Sequence, residues 1–135
     1  MNKKQAISYI RSCVDANRKV TVDHVFTAEN LPDVLRLHGI DDHIDVPLKD
    51  YKKKLLAIKN EDDVLTIGRL PLCDIQADHY EDNLISRVHV IFQKVGNEYR
   101  LINCGIYGTE AFASTPDGLQ LIEPAPVEWE DFFEA

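Results

Sequence analysis

The middle of the chain, residues 65–109, is a series of short apolar runs, and this series limits the possible fold more than any other feature. In the clearest run, Val88, Val90 and Phe92 alternate with other residues and share one face of an extended strand. A glycine-asparagine pair at residues 96–97 then predicts a tight turn into a second strand. Strands that recur about every 8–12 residues in this way are typical of an antiparallel β-sandwich.

Polar residues stand where these predicted strands begin or end. Gly68-Arg69 closes one run, and Ser86-Arg87 opens the next. Loops at one end of a sandwich lie close together, and such folds collect their binding residues there. Two arginines and a serine hydroxyl that converge at one end would form a charge-assisted anion site, for which phosphate is the best ligand.

The segment contains four short motifs in succession, namely Gly68-Arg69, Asp74-Ile75, Ser86-Arg87-Val88-His89 and Gly108-Thr109. In the order and spacing of these motifs, it resembles the forkhead-associated (FHA) domain, a phosphothreonine-recognition β-sandwich. The resemblance implies that Arg69 and Ser86 grip the phosphate and that Arg87 is a second basic contact. It also implies structural support of the site by Gly68, His89, Gly108 and Thr109, with His89 tying the binding loop together rather than touching the ligand.

Three features depart from the family pattern. Tyr107 stands where the family has the asparagine that binds the peptide backbone, so Tyr107 is a candidate peptide contact. The loop over residues 75–86 is longer than usual and brings Asp78, Glu81 and Asp82 toward the pocket, where like charges would oppose a phosphate. The family's closing strand pair is missing, so we expect exposed sheet edges that the N-terminal helices or a second chain would cover.

The first fifty residues predict two helices. Residues 3–17 place Ile10 and Val14 on one face of an amphipathic helix. A second helix is predicted between Asn30, as its N-cap, and Gly39, just past its end. Because neither helix could bury its apolar stripe alone, we expect a helical hairpin that packs against the sandwich.

We therefore predict an α+β fold in three parts, namely an N-terminal helical appendage over 1–50, an FHA-like β-sandwich over 51–123 and an acidic-aromatic tail over 124–135. The sandwich would begin with a strand over residues 53–58. The tail has two interpretations. Trp129 and Phe132 either close the core as a final turn or belong to a protruding segment that binds a partner.

The net charge of −8 is concentrated near the C-terminus, where residues 101–135 hold seven acidic residues and no Lys or Arg. An acidic chain lacks the basic surface that binds nucleic acid or anionic membranes, so we expect neither as a partner. No apolar run approaches the ~18 residues that span a bilayer. Three dispersed cysteines fit neither a disulfide framework nor a zinc site, which favours a cytoplasmic, intracellular protein.

The sequence predicts neither an enzyme nor a cofactor. It contains no recognised histidine–nucleophile pairing, glycine-rich phosphate loop before a helix, or paired-carboxylate motif. His38, Asp41, Asp42 and His43 are residue types that bind metals. A cluster of this kind is more often a solvated acidic loop, so we predict no metal site.

The sequence leaves two functions open. The first is a phosphothreonine-peptide-binding module for protein–protein interaction, a signalling adaptor whose phosphate is held by Arg69, Ser86 and Arg87. The second is a degenerate FHA scaffold that binds a protein partner independently of phosphorylation, through an exposed sheet edge, the helices or the tail. Exposed edges would also allow self-association into a homo-oligomer.

Overall fold

A computed structural model describes residues 1–79 and 81–129, which form two β-sheets and two α-helices. The helices are α1 (Lys3–Asp15) and α2 (Leu48–Leu56). The strands, in chain order, are β1 (Thr21–Thr27), β2 (Val34–His38), β3 (His43–Pro47), β4 (Val64–Gly68), β5 (Ile75–Gln76), β6 (Val90–Val95), β7 (Glu98–Asn103), β8 (Thr109–Thr115), β9 (Gly118–Leu121) and β10 (Val127–Glu128). Within these residues, neither helix has the length and apolar character needed to cross a membrane.

The strands form a β-sandwich, as the alternating runs predict. The larger sheet has six strands in the order β10-β1-β7-β6-β4-β5, and the smaller sheet has four in the order β3-β2-β8-β9. Neighbouring strands are antiparallel, except that β4 and β5 run parallel at one edge of the larger sheet. The predicted β-sandwich is therefore confirmed in outline.

The six-stranded sheet carries apolar side chains on both faces, because the smaller sheet covers one face and α1 covers the other. Phe92 lies on the inner face and shares a core cluster with Leu35 of the smaller sheet. Its neighbour Ile91 lies on the outer face and shares a second cluster with Ile10 of α1. All four side chains are 0% exposed, and burial of each such side chain stabilises the fold by about 1.5–3 kcal/mol.

Helix α1 forms where the amphipathic pattern predicts it. It begins with a capping box, in which the Gln5 N–H donates to the Asn2 side chain and the Asn2 N–H donates to the Gln5 side chain, each at 2.9 Å. It ends in a Schellman motif, where Asn17 has a φ of 61° and the Arg18 N–H donates to the Cys13 carbonyl at 2.9 Å. This stop gives Arg18 a defined position beside the sheet.

The predicted second helix is wrong, because residues 34–38 form β2 between β3 and β8. Leu35 and Leu37 are fully buried and the residues around them are half-buried, which is the two-residue period of a strand. Asn30 caps no helix. Its side chain instead accepts hydrogen bonds from the Thr27 N–H and hydroxyl in a turn, at 2.6 and 3.0 Å.

The helical hairpin is therefore not found, and the predicted helical appendage over residues 1–50 contains three strands of the sandwich, all within residues 21–47. The strand predicted over residues 53–58 is also wrong, because this stretch contains the end of α2. Tyr51 and Leu55 are four residues apart and both are fully buried, which is the helical period. Tyr51 stacks on Phe92 of the larger sheet with ring centroids 5.6 Å apart.

Strand β1, from the N-terminal part of the chain, belongs to the larger sheet. It pairs with β7 on one side and with β10, the edge strand, on the other. Strand β10 belongs to the acidic-aromatic tail, and Trp129, the next residue, is only 3% exposed and packs in the cluster beneath α1. This burial favours the interpretation in which the tail closes the core. Phe132, which is part of the same interpretation, lies outside the described residues.

Candidate anion-binding site

Gly68 brings the two arginine-bearing loops into contact. A Cβ atom at residue 68 would lie 2.2 Å from the Arg87 carbonyl oxygen, so any larger residue would push the two backbones apart. The Arg69 N–H donates to the Ser86 carbonyl at 3.4 Å, and the Leu70 N–H donates to the Arg87 carbonyl at 3.1 Å. These bonds place Arg69 next to Ser86 and Arg87, which lie 17 and 18 residues further along the chain.

The four candidate ligand-binding residues line one cavity of about 750 Å³. They are Arg69, Ser86, Arg87 and Tyr107. Arg69 is half-buried, and its Nε–H donates to the Ile85 carbonyl at 3.0 Å, which fixes the plane of the guanidinium. Arg87 and Tyr107 are exposed at the rim. The structure thus brings the predicted residues together, while their contacts with a ligand stay predictions.

The Ser86 hydroxyl oxygen already accepts two hydrogen bonds within the protein. The donors are the Ile106 N–H and the Nη2 of Arg18, each 3.3 Å from Oγ. A hydroxyl has two acceptor lone pairs and one proton. With both lone pairs engaged, the proton is the group that Ser86 can offer to a ligand.

His89 ties together the two loops that border the cavity. Its Nδ1 accepts from the Ser86 N–H at 3.2 Å, so the ring proton is on Nε2, which donates to the Gly108 carbonyl at 2.9 Å. The ring is fully buried, and burial lowers the pKa of His89 to about 4, so the ring is neutral at pH 7. A Cβ atom on Gly105 would lie 2.2 Å from Nε2, so only glycine lets this loop approach the ring.

Asn103 holds the last loop in shape, a role that the sequence did not reveal. Its Oδ1 accepts from the Gly105 N–H at 3.1 Å and from the Thr109 hydroxyl at 2.8 Å. Its Nδ2 donates to the Gly105 carbonyl at 3.2 Å. Gly108 supports the same loop through a φ of 92°, which other residues adopt only with strain. Tyr107 lies at the tip of this loop and is 52% exposed.

Of the three acidic residues in the loop over residues 75–86, only one lines the cavity. The Asp78 carboxylate accepts from the backbone N–H groups of His79 and Leu84, at 2.8 and 3.1 Å, and so stabilises its own loop. Asp82 lines the cavity, whereas Glu81 is exposed and does not. The predicted opposition to a phosphate therefore falls on Asp82.

Arg18 is the residue that sequence inspection missed. It lines the same cavity, together with Tyr9 and Ser12 of α1. Its Nη2 donates to the Cys104 carbonyl at 2.6 Å as well as to Ser86. No local pattern around residue 18 points to this contact, because Ser86 is 68 residues away.

Among the described residues, no group of three or more His, Cys, Asp or Glu side chains is arranged to hold a metal ion. His38 contacts the Glu110 carboxylate on the smaller sheet through its Nε2. His43 lies 3.8 Å from the Asp45 carboxylate. Both histidines of the segment 38–43 therefore have a carboxylate neighbour.

Residues 65–115 match the family model of the FHA domain. The resemblance inferred from the motifs is therefore confirmed, over a segment that extends from β4 to the end of β8. FHA domains are phosphopeptide-binding interaction modules and not enzymes, so the match indicates an interaction module of this general kind. Comparisons with curated proteins and with solved structures gave no match. Arg18 and α1 lie outside the matched segment.

Proposed function

We propose that the chain binds phosphothreonine peptides, with the phosphate held by Arg69, Ser86 and Arg87. The observation that carries this proposal is the Ser86 hydroxyl, whose lone pairs are both engaged by Arg18 and Ile106. The remaining hydroxyl proton needs an acceptor, and a phosphate oxygen is a strong one. A cationic ligand would find no free acceptor on this side chain.

The two arginines supply the charge that such a ligand requires. A phosphothreonine carries about −1.5 to −2 charges at neutral pH, so two guanidinium groups roughly balance it. Arg69 lines the cavity, and its bond to the Ile85 carbonyl fixes the plane of a guanidinium whose fork geometry suits a phosphate. Arg87 stands at the exposed rim. The natural ligand would be a phosphothreonine-containing segment of an intracellular protein.

A degenerate peptide library with one fixed phosphothreonine tests this function directly. We expect the protein to retain the phosphorylated library and to ignore the same library with plain threonine. Arg69→Ala should weaken phosphopeptide binding by about 100-fold, because it removes charge-assisted hydrogen bonds worth about 1.5–3 kcal/mol. Retention of both libraries to the same extent by the unmutated protein would refute the proposal.

Lys52→Ala is the matched control. It also removes one positive charge, but Lys52 is exposed on α2 and does not line the cavity. Binding by this variant should equal that of the unmutated protein. A similar loss in both variants would show that Arg69 acts only through the net charge of the protein.

Phosphate-independent binding to a protein partner is the second candidate. Ile106 and Tyr107 favour it, since they are 66% and 52% exposed at the loop tip and present an apolar surface next to the cavity. Exposed apolar residues of this kind are common in protein interfaces. Partners captured equally well after phosphatase treatment, and by the Arg69→Ala variant, would favour this second function over the first.

A further inference from the structure

The residue Arg18 lies outside the segment that matches the FHA domain, but the end of α1 directs it into the same cavity. The Schellman motif at Asn17 turns the chain so that residue 18 faces the loops after β7 and before β6. Its guanidinium then reaches the Cys104 carbonyl and the Ser86 hydroxyl through one nitrogen, Nη2. A charged side chain from the N-terminal part thus touches the central hydroxyl of the proposed site.

Nothing within the described residues neutralises the charge of Arg18. None of their carboxylates forms an ion pair with it, and its buried Nε has no hydrogen-bond partner. A half-buried guanidinium without a counter-charge is costly, since both its charge and its N–H groups are withdrawn from water. An anion in the adjoining cavity would supply the missing counter-charge.

Two cavities meet at Arg18. The first is lined by Arg69 and Arg87, and the second by Lys19. Arg18, Ile106 and Tyr107 line both cavities. A phosphate bound at Ser86 would therefore share its cavity with arginines from three separate parts of the chain.

We propose that Arg18 is a third basic residue that binds the phosphate of the ligand directly. This inference rests on the proposed function, because it concerns the same ligand. Three guanidinium groups and one hydroxyl suit a doubly charged phosphate and exceed what a single carboxylate needs. The site should accordingly reject a peptide in which glutamate replaces the phosphothreonine.

Affinity measurements on two variants test the contact. Arg18→Gln removes the charge and should weaken binding of the tightest phosphothreonine peptide from the library by about 10- to 100-fold. Arg18→Lys keeps the charge but loses the planar fork, so we expect an intermediate loss. Arg11→Gln, a matched change on an exposed residue of α1 that does not line the cavity, should leave the affinity unchanged. Unchanged affinity in Arg18→Gln would overturn the inference.

A purely positioning role, in which Arg18 only orients Ser86, predicts a different phosphorus NMR titration. Free phosphothreonine loses its second proton with a pKa of about 6. A direct contact with Arg18 stabilises the dianion, so the pKa of the bound phosphate should be higher in the Arg18→Gln complex than in the unmutated complex. An equal pKa in the two complexes, despite weaker binding, would overturn direct contact. Arg18→Met, which also removes the charge, provides the same comparison if the glutamine variant does not fold.

Inorganic phosphate separates failure of this inference from failure of the proposed function. If the protein shows no preference for phosphorylated peptides, the peptide function is refuted, but a phosphate titration can still be followed by NMR. A shift of the Arg18 side-chain Nε–H signal that Arg69→Ala reduces would support the anion contact. If the Arg18 Nε–H signal does not shift, whether the Arg69 signal reaches saturation or also stays unchanged, the direct contact between Arg18 and the anion is overturned.

Discussion

The two halves of the cavity differ in how firmly the protein holds them. The phosphate half is defined as Arg18, Arg69, Ser86 and Arg87. Backbone hydrogen bonds join the loops of its last three residues, the buried ring of His89 holds the Ser86 N–H, and Arg18 is joined through its side chain to Ser86. The peptide half, defined as residues 82–83 and 106–107, consists of loop tips. In the peptide half, the Ile106 and Tyr107 side chains are 66% and 52% exposed.

This difference shows which part of the site the fold preserves. The proposed phosphate binding would need several donors in a fixed arrangement, so it would depend on packing around His89 and on the close approach at Gly68. Peptide selection depends on side chains at loop tips, which can change without disturbing the core. The family resemblance is accordingly strong in the first half, whereas Tyr107 departs from the family in the second.

Gly68→Ala should separate the two arginine-bearing loops of the phosphate half, and we expect the largest effect of all the substitutions from it. The new methyl group would meet the Arg87 backbone carbonyl, which cannot rotate away as a side chain can. We expect a loss of about 3 kcal/mol in the free energy of unfolding, measured by urea denaturation. Gly96→Ala is the matched control, since a Cβ there has no neighbour within 4 Å and only the positive φ is unfavourable. An equal loss in the two variants would contradict the importance of the loop contact.

Acid should lower the stability of the folded protein through His89, whose ring supports the phosphate half. The pKa of His89 is lowered to about 4 in the folded protein by burial, against an ordinary value of 6.5. The unfolded chain therefore binds this proton first as the pH falls below 6.5, and stability decreases until the pH reaches about 4. Between pH 7.5 and pH 5 we expect a loss of about 2 kcal/mol from this residue.

Urea denaturation at the two pH values, together with an NMR titration of the His89 ring, would measure this effect. Burial also raises the pKa of Asp23, but that group opposes the trend, because its folded form takes up a proton first. His43→Gln serves as a control, since His43 is exposed rather than buried. A ring of His89 that titrates near pH 6.5 in the folded protein would contradict the proposed burial.

Tyr107→Asn should strengthen peptide binding by the peptide half. Asparagine is the family residue at this position and adds an amide that can hydrogen-bond a peptide backbone. We expect the affinity for a phosphothreonine peptide to rise about fivefold, which is the value of roughly one hydrogen bond, with no change in thermal stability. Titration calorimetry with the best library peptide would measure it. A lower affinity would show that the tyrosine ring itself contacts the ligand.

Asp82→Asn should produce the smallest change. Asp82 is the acidic-loop carboxylate that lines the cavity, and its removal relieves repulsion of the phosphate. Because the residue is exposed, we expect a gain of only about twofold in phosphopeptide affinity, and a smaller gain in high salt. Glu81→Gln provides the control, since Glu81 lies outside the cavity. An equal gain from both substitutions would point to net charge alone.

The sandwich and the motif residues were predictable because their signals are local. Alternation around Val90 and Phe92 defines the central strands, and Arg69 and Ser86 stand directly at strand ends. Residues 34–38 were mistaken for a helix, because Leu31, Val34, Leu35 and His38 also fit a helical stripe. Burial of Leu35 and Leu37 by the larger sheet decided for a strand, and no local pattern contains that tertiary contact.

The rest of the site could not be predicted, because its contacts join distant parts of the chain. Arg18 reaches Ser86 across 68 residues, and it does so only because α1 lies on the outer face of the larger sheet. Asn103 likewise acts through a loop whose shape depends on the ring of His89. Both residues have ordinary sequence neighbours, and only the fold shows what they touch.

The most direct test of the central claim compares one phosphothreonine peptide with its unphosphorylated twin. We expect the unmutated protein to bind the phosphorylated peptide at least about 100-fold more tightly, since the three arginines and the Ser86 hydroxyl of the proposed site would act only on the phosphate. Ser86→Ala should remove most of this preference while leaving the fold and the weak binding of the twin unchanged. Equal affinity of the unmutated protein for the two peptides would contradict the account.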